Sequence, residues 1–483
     1  MDSTKFEGRM LIGGEMVAGS GGAWIDSENP ATEQPLGRVP AGTAEDVRRA
    51  VDAAAAAQPD WAGKSVWERA ALLRRLAGAI RARGPEILQL EARDTGNTIA
   101  KLTADVQIAA GYLEYFAGLA SEMKGETVPA SAQGLHLTLR EPWGVVARIV
   151  PFNHPFMFAA AHLAAPLMAG NAVVVKTPET SPLSGSLLGE LCRECLPAGL
   201  VNIVHGLGLP VGDTLVRHPR VRRIGFTGSV PTGLAIQRAA AESGVKHVSL
   251  ELGGKNPFIV FPDADLDKAV DMAVAGMNFS WAGQSCGSTS RLLLHESIHE
   301  EFVERVAARL RALRLGDPLD PASEMGPVNS RRQHERVMGF VESARAEGAR
   351  LVTGGRRPPG EAFRRGYWVE PTLYDRVDPS MRVAREEVFG PIVCALRWSS
   401  EDEAVALANG TEYGLTAAVW TRDLSTAMRM MRRVEAGTVW INFAGQHFVG
   451  TPFGGWKDSG LGGEECLEEL LSYTQVKAVH VLP

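Results

Sequence analysis

"NAVVVKTPE", residues 171–179, is a β-branched run that stops at a lysine and a proline. A strand that is apolar at successive positions, rather than at alternate ones, belongs in a sheet covered on both faces. The pattern recurs on either side. "GVVARIVPF" (144–152), "VNIVHG" (201–206), "VRRIGFTGS" (221–229) and "PFIVF" (257–261) are short Val/Ile-rich runs, several of them separated by helix-like segments. This alternation specifies an α/β fold with a parallel sheet. It resumes at "SRLLLHES" (290–297), before a charged amphipathic helix through "HEEFVERVAARLRALRL" (299–315). The first 140 residues read differently, as helices after an irregular opening. Thr43 with Asp46, and Ser65 with Glu68, stand at capping-box spacing before apolar-periodic runs. The Ala-rich "DAAAAAQ" (52–58) reflects helix propensity, and "ERAALLRRLAGAIRARG" (68–84) ends at Gly84-Pro85. The tail "EELLSYTQVKAVHVLP" (468–483) closes in a strand-like run that needs a partner in the fold or in another subunit.

Composition excludes several classes. A chain of 483 residues accommodates two or three domains. Its 45% hydrophobic and 22% charged content is that of an ordinary soluble protein. A formal charge of −6 offers no basic field for nucleic acid or an anionic membrane, so neither is an expected partner. The opening "MDSTKFEGRMLIGGEMVAGSGG" lacks the basic and apolar regions of a secretion signal, and no apolar run reaches the length of about 18 residues that a membrane span needs. The five cysteines, Cys192, Cys195, Cys286, Cys394 and Cys466, are odd in number and thinly spread, which suits reduced thiols in the cytoplasm. Cys192 and Cys195 form a C-x-x-C in a helix-like stretch without a second pair, so no metal is expected there.

One segment, "WAGQSCGSTSRLLLHESIH" (281–299), carries three active-site signatures. Gly283 to Gly287 fits G-x-S-x-G, which would make Ser285 a hydrolase nucleophile. That elbow needs strand, turn and helix in order; here a helical pattern, "LDKAVDMAVAGMNFSWA" (266–282), precedes and a strand follows. His295 to His299 fits H-E-x-x-H, which binds zinc only when both histidines share a helix face. His295 falls at a strand end and Ser297 reads as the N-cap of the next helix, so that geometry is not expected. Cys286 lies in a loop of small residues where a ligand can approach closely. The loop alone does not separate a nucleophile from a buried structural thiol, the role expected of Cys394 and Cys466.

Other motifs surround it. "RRIGFTGSVPTG" (222–233) runs from strand through a Gly-spaced turn into a helix start, where backbone N–H groups can hold a pyrophosphate. Gly228 and Gly233 are too widely spaced for the usual dinucleotide fingerprint. "HGLGLPVG" (205–212) supplies a second small-residue turn. Lys176 and Glu179 lie just past a strand end, where open α/β sheets bind ligands; an acid there accepts the two hydroxyls of a ribose and repels a 2′-phosphate, whereas the plainer reading is a surface ion pair. Glu251 in "SLELGGKNP" (249–257) follows a strand beside paired glycines and is placed to act as a base. Asn153 in "IVPFNHPF" (149–156) offers a neutral donor for a developing oxyanion.

With these residues in view, the chain resembles the NAD(P)-dependent aldehyde dehydrogenase superfamily. The likeness runs from "NPATEQPLGRVPAGTAEDVRRAVDAA" (29–54) to "SYTQVKAV" (472–479). It is carried most specifically by "PFNHP", "KTPE", "FTGS", "ELGGKNP", "GQSC", "EEVFGP", "YGL", "GTVWIN" and "PFGGWKDSGLG", in that order. The resemblance implies a Rossmann-like cofactor domain (1–123 and 143–252), a catalytic α/β domain (253–450) and a small β arm for oligomerisation (124–142 and 466–483), with 451–465 returning to the cofactor domain. It implies a homodimer or homotetramer. It makes Cys286 the nucleophile, Glu251 the general base, Asn153 the oxyanion donor and Glu464 an acid near the site. It assigns the cofactor, NAD rather than NADP, to Val150, Pro151, Phe152, Lys176, Glu179, Gly208, Gly212, Phe226, Thr227, Gly228, Ser229, Leu252, Gly253, Glu387 and Phe389. The substrate mouth falls to "FAGQHFVGTPF" (443–453), with Phe158, Trp281 and Phe453 as walls and His154 and His447 as polar members.

The implied reaction oxidises an aldehyde to a carboxylate through a thiohemiacetal and a thioester on Cys286, hydrolysed with Glu251 as base. Family members that transfer the acyl group to coenzyme A usually lack this Glu. Four positions depart from the family pattern. Phe152 stands where Trp is frequent, His154 where an apolar or aromatic residue is common, Gly287 where a larger residue is usual, and Gly463 where Arg is frequent. The aromatic and histidine residues favour an aromatic or semi-polar aldehyde over a broad aliphatic range. The alternatives are a non-catalytic nucleotide-binding protein on the same scaffold, or a hydrolase built on Ser285 or on zinc.

Overall fold

Two sheets, each with its own core, organise the chain. The structure is a computed structural model and describes residues 6–482. Residues 1–5 and 483, at the outer edges of the expected first domain and arm, lie outside the described residues.

The first sheet is built from the runs that opened the sequence reading. Its parallel centre has the spatial order Val201–Val204, Ala172–Lys176, Val145–Ile149, Val221–Thr227, His247–Glu251. Numbered along the chain this is 3-2-1-4-5, a doubly wound arrangement whose direction reverses beside Val145–Ile149. Ligands bind such sheets in the crevice outside the carboxyl ends at that reversal, so Val150 and Gly228 emerge at its mouth. Antiparallel edges are added by Met10–Ile12 and Glu15–Val17 on one side and by Gly460–Leu461 on the other.

Four helices, Ala44–Ala62, Val66–Ala82, Gly84–Thr95 and Ile99–Gly118, precede the central strands. Trp61, Leu73, Phe116, Val146 and Val174 share one buried core. Both capping boxes form: the Thr43 hydroxyl accepts from the Asp46 N–H, the Ser65 hydroxyl accepts from the Glu68 N–H, and each acid returns the bond. Caps of this kind stabilise a helix by about 1 kcal/mol.

The second sheet has the order Arg350–Thr353, Thr372–Asp375, Ile392–Trp398, Arg291–His295, Pro257–Val260, Thr416–Trp420, Thr438–Ile441. Only the first pair is antiparallel. Phe258, Leu293, Phe302, Phe340 and Tyr374 fill its separate core. Thr474–Val481 pairs antiparallel with Leu135–Pro142 along its whole length, giving a two-stranded arm with Leu135, Leu139, Val476 and Val481 exposed.

Two readings change. The opening is not irregular: Phe6–Glu7, Met10–Ile12, Glu15–Val17, Trp24–Asn29 and Gln34–Pro40 are strands. Several are two or three residues long, too short to show a period, and they form on partners far along the chain, such as Leu11 opposite Ile203. The start of the expected arm segment 466–483 is the helix Leu467–Ser472, and Leu470 with Tyr473 joins the first sheet's core. No helix among the described residues is long and apolar enough to cross a membrane.

Candidate active site

Cys286 sits in a loop that follows the helix Leu266–Gly276 and the turn Phe279–Trp281 and precedes the strand Arg291–His295. Helix, loop, strand is the reverse of a hydrolase elbow, which removes the geometric basis for Ser285 as nucleophile. The zinc motif is also divided. The Nδ1 of His295 lies 2.8 Å from the Ser297 hydroxyl, while Nε2 of buried His299 lies 2.7 Å from the Asp375 carboxylate. Ser297 is not the N-cap; Ile298 is, without a side-chain cap, because the turn runs one residue further and the Ser297 hydroxyl meets His295.

The Cys286 loop is tied from several sides. The Asn256 amide donates to the Cys286 carbonyl at 2.7 Å and to the Ser288 carbonyl at 2.9 Å. Gln284 Oε1 accepts from the Asn329 N–H at 3.0 Å. Gly283 has φ 68°, and a Cβ there would run into the Gly390 carbonyl, so the turn requires glycine. Cys286 is half-buried, whereas the other four thiols are buried. Burial, reinforced by the Glu387 and Glu251 carboxyls, pushes the Cys286 thiol up to about 12; the N–H groups of Gly287 and Cys286 pull the other way. The resting thiol is therefore protonated and needs a base to become a nucleophile.

Glu251 ends the strand His247–Glu251, paired in register with Thr227. It is buried, and its Oε2 has no hydrogen-bond partner among the described residues. Burial first, then the Glu464 and Glu465 carboxyls, lift it well above the ordinary carboxylate range, against the pull of Arg148. A lifted carboxyl is suited to proton transfer near neutrality. Asn153 leaves the carboxyl end of Val145–Ile149. Its amide donates to the Gln284 carbonyl at 3.0 Å, two residues before Cys286, and Asn97 anchors its backbone by donating to the Asn153 carbonyl at 2.7 Å. An amide carries two N–H groups, so a second donor remains.

The crevice beside this group holds the residues expected to meet a cofactor. Val150 donates to the Lys176 carbonyl at 3.2 Å, and the Ser181 hydroxyl donates to the Phe152 carbonyl at 2.9 Å, which fixes the Val150–Pro151–Phe152 exit. Lys176 is buried while Glu179 keeps 42% of its side chain exposed, with Nζ and Oε2 3.0 Å apart. This is not the plain surface pair considered above. Ser229 caps the helix Val230–Ser243 without a side-chain bond to its N–H groups; its hydroxyl meets that of Thr232 instead. Gly208 and Gly212 bound a five-residue wide (π-type) turn in which Leu209 leaves helical geometry. A Cβ at Gly228 would run into the Phe226 ring, and one at Gly253 into the Glu387 carboxylate. Leu252 lies against Gly233, whose added Cβ would meet it at 2.8 Å. Glu387 accepts from the Gly254 N–H at 3.1 Å, and burial lifts it to about 7. Phe389 stands edge-on to Phe152 at 5.5 Å. The Thr227 hydroxyl is buried without a hydrogen-bond partner among the described residues. Glycine cradles, a free helix start and an orphaned hydroxyl together fit a bound nucleotide.

The expected substrate walls form aromatic pairs, one edge-on and two stacked. Trp281 stands edge-on to His154 at 4.7 Å, Phe158 stacks on His162 at 5.3 Å, and His447 stacks on Phe453 at 4.3 Å with its Nδ1 2.8 Å from Glu465. His154 is not a bare wall: it is buried with Nδ1 2.7 Å from Asp105. Nor does Glu464 stand free. Arg148, buried in mid-strand, donates to it at 2.9 Å and to the Tyr473 hydroxyl at the same distance. Burial pulls the Glu464 carboxyl upward, and the charge and hydrogen bond of Arg148 hold it below its ordinary value. Burial also drives His162 down to about 3, so it is neutral and Arg148 supplies the holding charge. His162, Glu464 and Glu469 offer atoms within 4.8 Å of one another, spacing that a metal ion could use, but Arg148 already provides a cation to Glu464. Arg148, His162, Asp105, Asn256 and Gln284 were not singled out from the sequence. Only Arg148 carried a signal, a charge inside an apolar run.

A doubly wound sheet joined to a second parallel sheet that carries the thiol loop, with a two-stranded arm, is the architecture of the aldehyde dehydrogenase class. Comparison with known proteins agrees: the model of the "Aldehyde dehydrogenase family" matches residues 16–479, and the chain belongs to that family. It is 46% identical over 460 residues to aldehyde dehydrogenase tropH of Talaromyces stipitatus, covering 94% of this chain and 89% of the relative. A Bacillus cereus aldehyde dehydrogenase solved as its NAD+ complex superposes with TM-score 0.95 at 38% identity, covering 99% of this chain and 96% of the other. A 3,6-anhydro-L-galactose dehydrogenase solved with NAP gives TM-score 0.96 at 33% identity over 98% of this chain and 100% of the other.

Proposed function

We propose that this enzyme oxidises an aldehyde to a carboxylic acid with NAD, using Cys286 as nucleophile and Glu251 as general base. The observation that carries the reading is the convergence of Cys286 and Asn153, each on a loop, with Glu251 at a strand end, whose Oε2 has no hydrogen-bond partner among the described residues. Glu251 takes the Cys286 proton through water, and the thiolate adds to the aldehyde carbon. The second Asn153 N–H and the Cys286 N–H hold the oxyanion, each worth about 3 kcal/mol. NAD, held by the crevice residues, would supply the hydride acceptor for oxidation of the Cys286 adduct to a thioester. Glu251 then removes a proton from the water that attacks the thioester, releasing carboxylate and free thiol.

The first-sheet unit is the cofactor side, with Lys176, Glu179, Thr227, Ser229, Glu387 and Phe389 among the holding residues; the second-sheet unit brings the thiol. The arm, with Leu135, Leu139, Val476 and Val481 exposed, is the oligomerisation element of a homodimer or homotetramer. Five unpaired cysteines suit a reducing cytoplasm. His154, Phe158, Trp281, His447 and Phe453 favour an aromatic or semi-polar aldehyde. Glu464, held by Arg148, acts as a positioning residue behind Glu251.

The test is reduced-cofactor formation over a panel of aldehydes with NAD and NADP. NAD should give the higher kcat/KM, because Glu179 fits a ribose diol and repels a 2′-phosphate, and Glu179→Gln should narrow the gap. Equal efficiency with NADP overturns the preference; no turnover with any aldehyde overturns the function and leaves a nucleotide-binding protein.

A further inference from the structure

We propose that Asp105 and His154 form a recognition dyad that selects aldehydes carrying a hydroxyl group on an aromatic frame. The inference rests on the aldehyde-oxidising reading above and narrows its substrate class.

His154 directly follows the oxyanion donor Asn153, and its ring lies edge-on to both Trp281, at 4.7 Å, and Phe158, at 5.9 Å. It thus occupies the aromatic surround beside the thiol loop. An apolar ring would complete that surround without any polar cost. A histidine there must bring partners for its nitrogens, and one is supplied. Asp105, buried on the helix Ile99–Gly118, lies 2.7 Å from Nδ1. A carboxylate accepts only, so the Nδ1 position carries the proton, and this contact fixes ring orientation and tautomer together. The neighbouring Glu91, lifted to about 8 by burial, is protonated near neutrality and adds no competing charge.

Fixing Nδ1 leaves Nε2 as the ring's free position. It makes no hydrogen bond among the described residues, and unlike both nitrogens of His162 it is not sealed from solvent. With Nδ1 carrying the proton of the neutral ring, Nε2 is an acceptor. An acceptor held rigidly among aromatic faces suits a planar substrate whose hydroxyl can donate. A substrate lacking that hydroxyl leaves the acceptor unpaired when water is displaced, which is how a polar site discriminates. A carboxylate on the substrate fits less well, since the dyad already holds one carboxylate.

The experiment compares kcat/KM for benzaldehyde and for 2-, 3- and 4-hydroxybenzaldehyde in the unaltered enzyme, His154→Phe and Asp105→Asn. The unaltered enzyme should favour one hydroxyl isomer over benzaldehyde by at least tenfold, chiefly through KM. His154→Phe keeps a planar ring and removes the acceptor, so this ratio should fall toward one. Asp105→Asn should lower the ratio as well, by loosening the tautomer. A general loss of stability would lower both substrates together and leave the ratio unchanged. Turnover of benzaldehyde without preference for any isomer in the unaltered enzyme overturns the dyad proposal alone, and so does a preference that survives His154→Phe. Failure of every aldehyde overturns the parent reading with it. If His154→Phe does not fold, the unaltered enzyme and Asp105→Asn decide the matter.

Discussion

At the residue scale the site is an economy of protons. Cys286 is pushed up to about 12 and Glu251 is lifted well above the carboxylate range, both with burial as the first cause. Burial disfavours the charged form of each, so both groups hold their protons more tightly than a free thiol and a free carboxyl do. The serine beside Cys286 shares none of this, because the chain arrives from a helix and leaves into a strand. Cys286→Ala should therefore abolish aldehyde oxidation while NAD binding, followed by fluorescence titration, persists. Ser285→Ala should keep substantial turnover; the opposite pair of results would move the nucleophile to Ser285. The roles proposed for Cys286, Glu251 and Asn153 come from motif positions through the resemblance, not from a constellation, since nothing in the chain states that positions 153, 251 and 286 meet. The charges behind them were hidden for the same reason: Glu464, Glu469 and Tyr473 reach Arg148 across more than three hundred residues.

At the element scale the site is made of strand ends and the turns that leave them. The segment from Leu252 to Asn256 links the two sheets, and its glycines are places of close approach. A Cβ at Gly254 would lie 2.7 Å from the Cys286 carbonyl and 2.5 Å from Oδ1 of Asn256, the side chain whose Nδ2 ties the thiol loop. Gly254→Ala should displace Cys286 by a fraction of an ångström and lower kcat by about 10²-fold, the usual scale for a misplaced reactive group, with little change in the circular dichroism spectrum. Full activity would show that the loop adapts freely. Elements apolar at successive positions were legible, because a doubly covered strand can be little else: Ala172–Lys176 and Val201–Val204 fall within their quoted runs. The opening strands were not legible. Phe6–Glu7 and Met10–Ile12 carry too few residues for a pattern and exist through pairing with Gly37, Arg38 and Ile203.

At the scale of the whole molecule, two separate cores place a thiol and a carboxylate on either side of one seam. The fold class followed from alternating runs, but strand order did not, because order is decided by which crossover packs on which face. The 3-2-1-4-5 arrangement puts Val150 and Gly228 at the reversal and makes the crevice. From its residues the arm reads as a terminal strand seeking a partner; segment 124–142 was named as its complement through the resemblance alone, since Leu135–Pro142 lies more than three hundred residues earlier. The central claim is that one carboxylate from the first unit hydrolyses a thioester held by the second. Glu251→Gln keeps the size and cannot take a proton, and general-base assistance is typically worth about 10²- to 10⁴-fold. Rapid mixing of this variant with aldehyde and NAD, followed by intact-mass analysis, tests the claim directly. The account predicts a partial burst of NADH, almost no steady turnover, and an added acyl mass on the peptide containing Cys286. Steady turnover near that of the unaltered enzyme, with no adduct on Cys286, would contradict it.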